Sequence, residues 1–257
     1  LVKYLRLDLS LLLGMAMGAA MLTKSSGFYV LYLSPLLFIL FDFAKKARAK
    51  RLVRFILLLG LSAIFSQIYY SVLRLSPHFH IIIEKDSTFV YPIKEWLKHP
   101  FDFYIGNISG LMDWLIHYTG WPLLLVGVLA LIFSFRRFVK QRWFLFLWFL
   151  LPFNLAALFG KVLYPRYIVL PILTLLILMS SSFYEIGKLI NKKAILLLVI
   201  FIFLIPSLIL DFKILTDIKN TTLTPIDAGQ YINDWPSGWG VKESVEILKE
   251  DARNGRV

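Results

Sequence analysis

Long apolar runs recur along this chain, separated by short polar linkers. They lack the period-2 alternation of barrel strands and predict helices that are apolar on all sides. Seven such spans are expected, at about 8–23, 27–43, 53–73, 119–135, 143–159, 168–184 and 194–210. Several are near ~17 residues, the lower limit for crossing a hydrocarbon core of ~30 Å. A water-soluble fold has no use for so many all-round apolar helices. A bilayer does, because only a helix or a closed barrel satisfies its own backbone there. The first span carries Gly14, Gly18 and Lys24, which lower its hydropathy, so a re-entrant half-helix is the alternative for that segment.

The polar stretches are patterned too. From Phe101, the residues Tyr104, Ile105, Ile108, Leu111, Met112, Leu115 and Ile116 follow the i, i+3, i+4, i+7 rhythm of one helix face. Asp102, Asn107, Asp113 and His117 fall on the other face, so an amphipathic helix lying flat in the membrane interface is expected. It would serve as a lid over lipid-facing surface or as a wall of a site. Before it, Pro92 to Lys98 reads as a shorter helix with Pro near its start and Trp96 as an interface anchor. After residue 210 the apolar runs stop. Thr221–Gly240 reads as linker and turns. Val241–Asn254 reads as an amphipathic helix with Val241, Val245, Leu248 and Ala252 on one face and Gly255 as its cap. Val257 would begin a strand. The expected fold is thus an all-α polytopic membrane bundle over 1–210, and 211–257 as a linker with the start of a small outer α/β domain.

Composition agrees: 58% of residues are hydrophobic and 17% charged, against ~45–50% and ~25% in soluble domains. The absence of cysteine excludes disulfides and thiolate metal sites. The net charge of +12 would suit nucleic acid if it were spread over one surface. It is concentrated instead in Ala44–Arg54, Arg136–Arg142 and Glu185–Lys193, which alternate with the other loops. The positive-inside rule makes that side cytoplasmic, with Lys3 and Arg6 beside it. The surplus is a topology signal and a contact for anionic lipid heads, with no nucleic-acid partner expected. Thr23–Ser26, Arg74–Tyr118, Gly160–Tyr167 and the tail then lie outside. The sequons at Asn107 and Asn220 are on that side as well. Leu1 in place of Met, and an end just after a helix, are read as cuts in a longer protein.

Chemistry is sparse inside the spans, which argues against a proton- or ion-coupled transporter. Outside, Lys24 sits in a tight reversal on the less basic side and either snorkels or meets an anion. Lys161 and Arg166 flank Tyr164 and Pro165 in a very short outer turn that ends at Tyr167. An Arg fork suits phosphate oxygens and Lys adds a point charge, so phosphate or pyrophosphate is the expected ligand. Tyr164 and Tyr167 are candidate substrate contacts or plain aromatic-belt residues. His78, His80, Glu84, Asp86 and Asp113 are possible metal ligands or bases, but on an unpatterned loop the solvated reading prevails and no metal is expected. No Gly-rich phosphate loop, nucleophile elbow or zinc-protease signature is present, and no cofactor is expected.

Gly14–Lys24, ending Leu-Thr-Lys, resembles the matching stretch of GT-C membrane glycosyltransferases, the dolichyl-phosphate-mannose–protein mannosyltransferase and aminoarabinose transferase group. Phe159–Pro171, with Pro-Arg-Tyr, resembles their late outer turn. The tail from Asp227-Ala-Gly-Gln-Tyr-Ile-Asn-Asp-Trp is similar to a stretch that precedes the outer domain in prokaryotic members. The resemblance implies a membrane enzyme that moves a sugar from a polyprenyl-phosphate carrier to an acceptor on the outer face. Lys24, Lys161 and Arg166 would cluster at the carrier phosphate. The family's catalytic acid lies in its first outer loop, and this chain has no matching acidic pair before Gly14. The acid is therefore expected upstream of Leu1, and the fragment alone is expected to be inactive. The rival expectation is a non-enzymatic membrane protein, such as a flippase or transporter subunit.

Overall fold

In the computed structural model, residues 1–132, 138–190, 192–234 and 240–255 are described. The chain is helical almost throughout. Among the described residues the only β pairing recorded is an isolated antiparallel bridge between Val90 and Gly160.

The first three legs form one unit. Helix α1 (Leu7–Thr23) leads to a 3-10 turn (Ser25–Gly27), helix α2 (Phe28–Leu33) and a longer 3-10 stretch (Ser34–Leu40), and then to α3 (Arg48–Ser71). The expected 27–43 span is thus broken, with Pro35 starting its second 3-10 piece. The 3-10 turns rise ~2.0 Å per residue against ~1.5 Å in an α-helix, so the broken leg gains reach. It returns the chain to where α1 began: Phe41 is fully buried against Leu5, Phe55 and Leu58. Helices α1 and α3 therefore run parallel.

Their contact explains the glycines. A Cβ at Gly14 would lie 2.7 Å from Phe65 Cβ, and one at Gly18 would lie 2.4 Å from Tyr69 Cβ. Ser10 Oγ donates to Leu58 O at 2.5 Å, and Ser62 Oγ donates to Ser10 O at 2.9 Å. Ser10, Gly14 and Gly18 thus form a small-residue face against Ser62 and Ser66, the packing that lets membrane helices approach closely without a hydrophobic drive. Helix α1 is continuous over its 17 residues, and its glycines are contact positions.

Beyond a 3-10 turn (Val72–Leu75) come α4 (Phe79–Phe89), the one-turn α5 (Ile93–Trp96) and α6 (Tyr104–Thr119). Trp96 turns its ring onto Phe159, centroids 5.0 Å apart, and so packs against the end of a later helix. Helix α6 begins at Tyr104, after Phe101, and only part of its expected apolar face is covered. Leu111 and Leu115 are buried, with Trp114 beside them, whereas Ile105, Met112 and Ile116 are exposed. It is an integral wall of the second core, formed with α7 (Trp121–Ile132), α8 (Val139–Phe159) and α9 (Val169–Leu189) around Phe153, Ala157, Leu178 and Met179. Gly120, at φ 76°, makes the corner between α6 and α7 in a left-handed conformation that suits only glycine well. Helix α10 (Lys193–Thr216) continues past residue 210, and Ser207 Oγ reaches Thr119 O at 3.4 Å. Of the expected 119–135 span, 133–135 lie outside the described residues, as do Arg136, Arg137, Trp235 to Trp239 and Val257.

Four helical stretches are long and apolar enough to cross a membrane: Arg48–Leu75, Val139–Phe159, Pro165–Tyr184 and Lys193–Thr216. Leu7–Thr23 and Ser25–Leu40 are shorter apolar helices, so among the described residues four of the seven expected spans meet that length. No residue in the most apolar window of α10 is buried by the protein itself. Such a helix left in water would expose an apolar patch far beyond a soluble monomer's tolerance; hydrocarbon removes that cost.

The connections sort into two ends. Lys140 Nζ donates to Phe41 O at 2.8 Å, so the start of α8 shares an end with Leu5 and the loop before α3. Gly160 pairs with Val90 at the opposite end, beyond α3. The tail forms α11 (Pro225–Ala228), one π turn (Gly229–Asn233) and α12 (Val241–Arg253). The apolar positions of α12 are exposed, and no α/β domain is visible among the described residues.

Candidate functional site

Lys24 follows α1 in extended backbone, and the chain turns back at once: the Gly27 N–H donates to Lys24 O at 2.8 Å. A Cβ at Gly27 would come 2.2 Å from Ala20 O, so only glycine permits this reversal. The turn points the Lys24 ammonium at the ring of Tyr167, 5.2 Å from its centroid.

The second half comes from the linker between α8 and α9. Tyr164 is extended, as a residue before proline prefers, and Pro165–Ile168 close a 3-10 turn with Pro165 and Ile168 buried. Burying those two apolar residues turns Arg166 and Tyr167 toward the surface. The Arg166 guanidinium lies 4.5 Å from the Tyr164 ring centroid and 5.8 Å from that of Tyr167. Lys24 and Arg166, 142 positions apart in sequence, thus share one aromatic ring. Their separation cannot exceed the sum of their distances to that ring. Partial burial, with the Arg166 charge second, holds the Lys24 ammonium below its ordinary value. A nearby anion would reverse that shift.

Lys161 stands over a different ring, Tyr91, at 5.6 Å. Its backbone is pinned: Lys161 N–H donates to Phe89 O and Tyr91 N–H donates to Phe159 O, both at 2.8 Å. The Asn107 amide adds bonds to Gly160 O at 2.9 Å and Ala157 O at 3.0 Å, and Tyr104 Oη donates to Asn154 Oδ1 at 2.6 Å. Helix α6 therefore holds the cationic turn from below. An Asn107 engaged this way is a structural residue, and its sequon is not presented for glycosylation. Phe89, Tyr91 and Asn107 escape a reading for charged groups. The one sequence signal for the short pairing is Tyr91 before Pro92, a position biased to extended backbone.

His78, His80, Glu84, Asp86 and Asp113 assemble no group of three metal-ligating side chains among the described residues. The tail is latched separately. His117 Nε2 and Thr222 O are 2.6 Å apart, and Tyr118 Oη hydrogen-bonds to the Asp227 carboxylate and lies 3.2 Å from Thr224 Oγ1. Burial, followed by the Asp227 bond, pushes the Tyr118 hydroxyl up to about 12.

Comparison with models of known protein families, with curated proteins and with solved structures finds no match. The class that stands is a predominantly helical chain with, among the described residues, four helices long and apolar enough to cross a bilayer.

Proposed function

We propose that the chain is a multi-pass membrane glycosyltransferase of the cell membrane. It takes a sugar from a polyprenyl-phosphate carrier and passes it to an acceptor on the extracytoplasmic face. The observation that supports this is the meeting of Lys24 and Arg166 around Tyr167, with Lys161 in the same braced turn. Carrier phosphate tethered at a bilayer surface needs fixed cations at headgroup depth and aromatic walls for its neighbouring groups. When the acceptor hydroxyl attacks the anomeric carbon, the glycosidic C–O bond breaks and its electron pair leaves on the phosphate. Preorganised cations stabilise that developing charge. The acceptor's proton needs a base that is not assigned among the residues of this cluster. Asp8, the acid before Gly14, is held by Arg6 at the opposite end.

The test is binding of a short-chain polyprenyl phosphate to the purified chain in nanodiscs. Arg166→Ala should weaken binding by roughly 10- to 150-fold, the ~1.5–3 kcal/mol of a hydrogen bond to a charged group. Arg166→Lys should restore only part, because the fork is lost. Equal binding by all three proteins refutes the site. The alternative, a non-enzymatic lipid-phosphate carrier such as a flippase or transporter subunit, predicts the same binding without sugar transfer.

A further inference from the structure

At the opposite end of the parallel pair, the chain builds a second concave, cationic site. The hook of residues 1–5, closed by the Leu5 N–H to Leu1 O bond at 2.8 Å, faces the loop that enters α3. Between them lies a cleft of about 290 Å³. Lys3, Lys45, Lys50, Arg51 and Arg54 line it with Tyr4, and no acid does. Of the acids nearby, Asp8 is held by Arg6 through two bonds, and Asp42 lies 4.0 Å from Lys45, so it offsets one of the five cations.

Three further features make this more than a solvated basic loop. Arg51 is positioned: Nη1 donates to Asp42 O at 3.1 Å, and the guanidinium stacks over Phe41 at 5.3 Å. Its remaining N–H donors are held in place by those two contacts. Leu5 and Ala47, both lining the cleft, are non-glycine residues with positive φ, 48° and 53°. Backbone strain of this kind persists only where the surroundings enforce it, and Leu5 is clamped by its burial against Phe41 and Phe55. Finally, α3 begins at this end with no side-chain cap on its first N–H groups and no acid in its first turn, and Ala47, Lys50 and Arg51 at that terminus line the cleft. One positive helix terminus therefore adds to the side-chain cations.

We propose that this cleft is a phosphate-binding site, distinct from the Lys24–Arg166 cluster and independent of any transfer reaction. Its volume suits one phosphate group with its immediate ester, not a nucleotide. The phosphate is supplied either by an anionic phospholipid headgroup or by a soluble phosphate ester. Binding would neutralise the mutual repulsion of the cations and lock the hook of residues 1–5 onto α3.

The test uses the intact chain in mixed micelles of phosphatidylcholine and phosphatidylglycerol, with retained lipid read by native mass spectrometry. Lys50→Gln/Arg51→Gln should lower phosphatidylglycerol retention by about tenfold or more. Lys192→Gln/Lys193→Gln, an equal loss of charge outside the cleft, should leave it unchanged. In a neutral detergent, glycerol phosphate is the second probe. If it raises the melting temperature of the parent chain but not of the cleft variant, a soluble ester is the source; if only the lipid discriminates, the headgroup is. Should the first pair fail to fold, Lys3→Gln/Lys45→Gln on the facing wall must show the same loss. Equal effects of cleft and control pairs, or no discrimination by either probe, overturn the site.

Discussion

Replacing Gly18 with alanine tests how the first three legs are held together. The new Cβ would sit 2.4 Å from Tyr69 Cβ and 3.1 Å from Ser66 O. Ordinary carbon contacts are ~3.5–4.0 Å, so α1 and α3 must part by roughly an ångström. Tyr69 Cβ belongs to the stem of its side chain and cannot swing away. Separation would lengthen the Ser10–Ser62 bonds and loosen Met17 and Met21, both 1% exposed. Overpacking of this kind costs ~1–3 kcal/mol, and each interhelical hydrogen bond weakened in a membrane adds ~0.6 kcal/mol. The expected loss is therefore about 2–3 kcal/mol, or roughly 30- to 150-fold in the unfolding constant. The matched control is Gly60→Ala on α3, where a Cβ meets nothing within 4 Å. It removes backbone freedom from a helix interior and should stabilise by ~0.5–1 kcal/mol. Both are measured by denaturation with sodium dodecyl sulfate in mixed micelles, followed by circular dichroism. If Gly18→Ala unfolds no earlier than Gly60→Ala, the close parallel contact is wrong.

Single cysteines at positions 87 and 140, in a chain that has none of its own, should label from outside intact cells at 87 only; labelling at 140 alone inverts the topology. Gly27→Ala forces Ala20 O away and should cost about 3 kcal/mol while weakening polyprenyl phosphate binding through displaced Lys24; unchanged binding in a folded variant separates the reversal from the site. Asn107→Ala removes two bonds to buried turn carbonyls and should lower stability by ~1–3 kcal/mol, read as an earlier midpoint in the same denaturation assay. The Tyr118 hydroxyl titrates higher when the tail is docked than when it is free. Its contribution is therefore complete below the free value of ~10 and is lost as pH rises toward about 12. Proteolysis at Lys219 should accordingly be flat from pH 6 to 9 and faster above ~10; acceleration already at pH 8 contradicts the latch.

Hydropathy and charge alternation made much of the frame legible. The starts and ends of α1, α8, α9 and α10 lie close to the apolar runs, and Lys140 reaching Phe41 joins two of the basic linkers at one end. Lys24 and Arg166 could be placed near each other because each follows a leg running the same way. What could not be read depends on a partner distant in sequence. Gly14 and Gly18 weaken a hydropathy plot, and only Ser62 and Tyr69 reveal them as a packing face. In α6 the spacing identified a stripe of apolar residues, but its covered part is chosen by Phe153 and Ala157 on α8. The break in 25–40 is marked locally only by Pro35, and the return of Phe41 to Leu5 has no local signal. The tail latch rests on His117 and Tyr118, each unremarkable until Thr222 and Asp227 arrive.

The parallel pairing of α1 and α3 also sets an order of events during synthesis. Ser10 and Ser62 are 52 positions apart. At ~5–20 residues per second, α1 waits about 3–10 s before its partner leaves the ribosome. During that interval its serine and two glycines have nothing to pack against except the returning leg and whatever surrounds the nascent chain. The first two legs therefore meet first, as a provisional hairpin, and the third converts it into a fixed unit. A pause in translation before α3 has left the ribosome would prolong the hairpin stage, and a later one would come too late to matter.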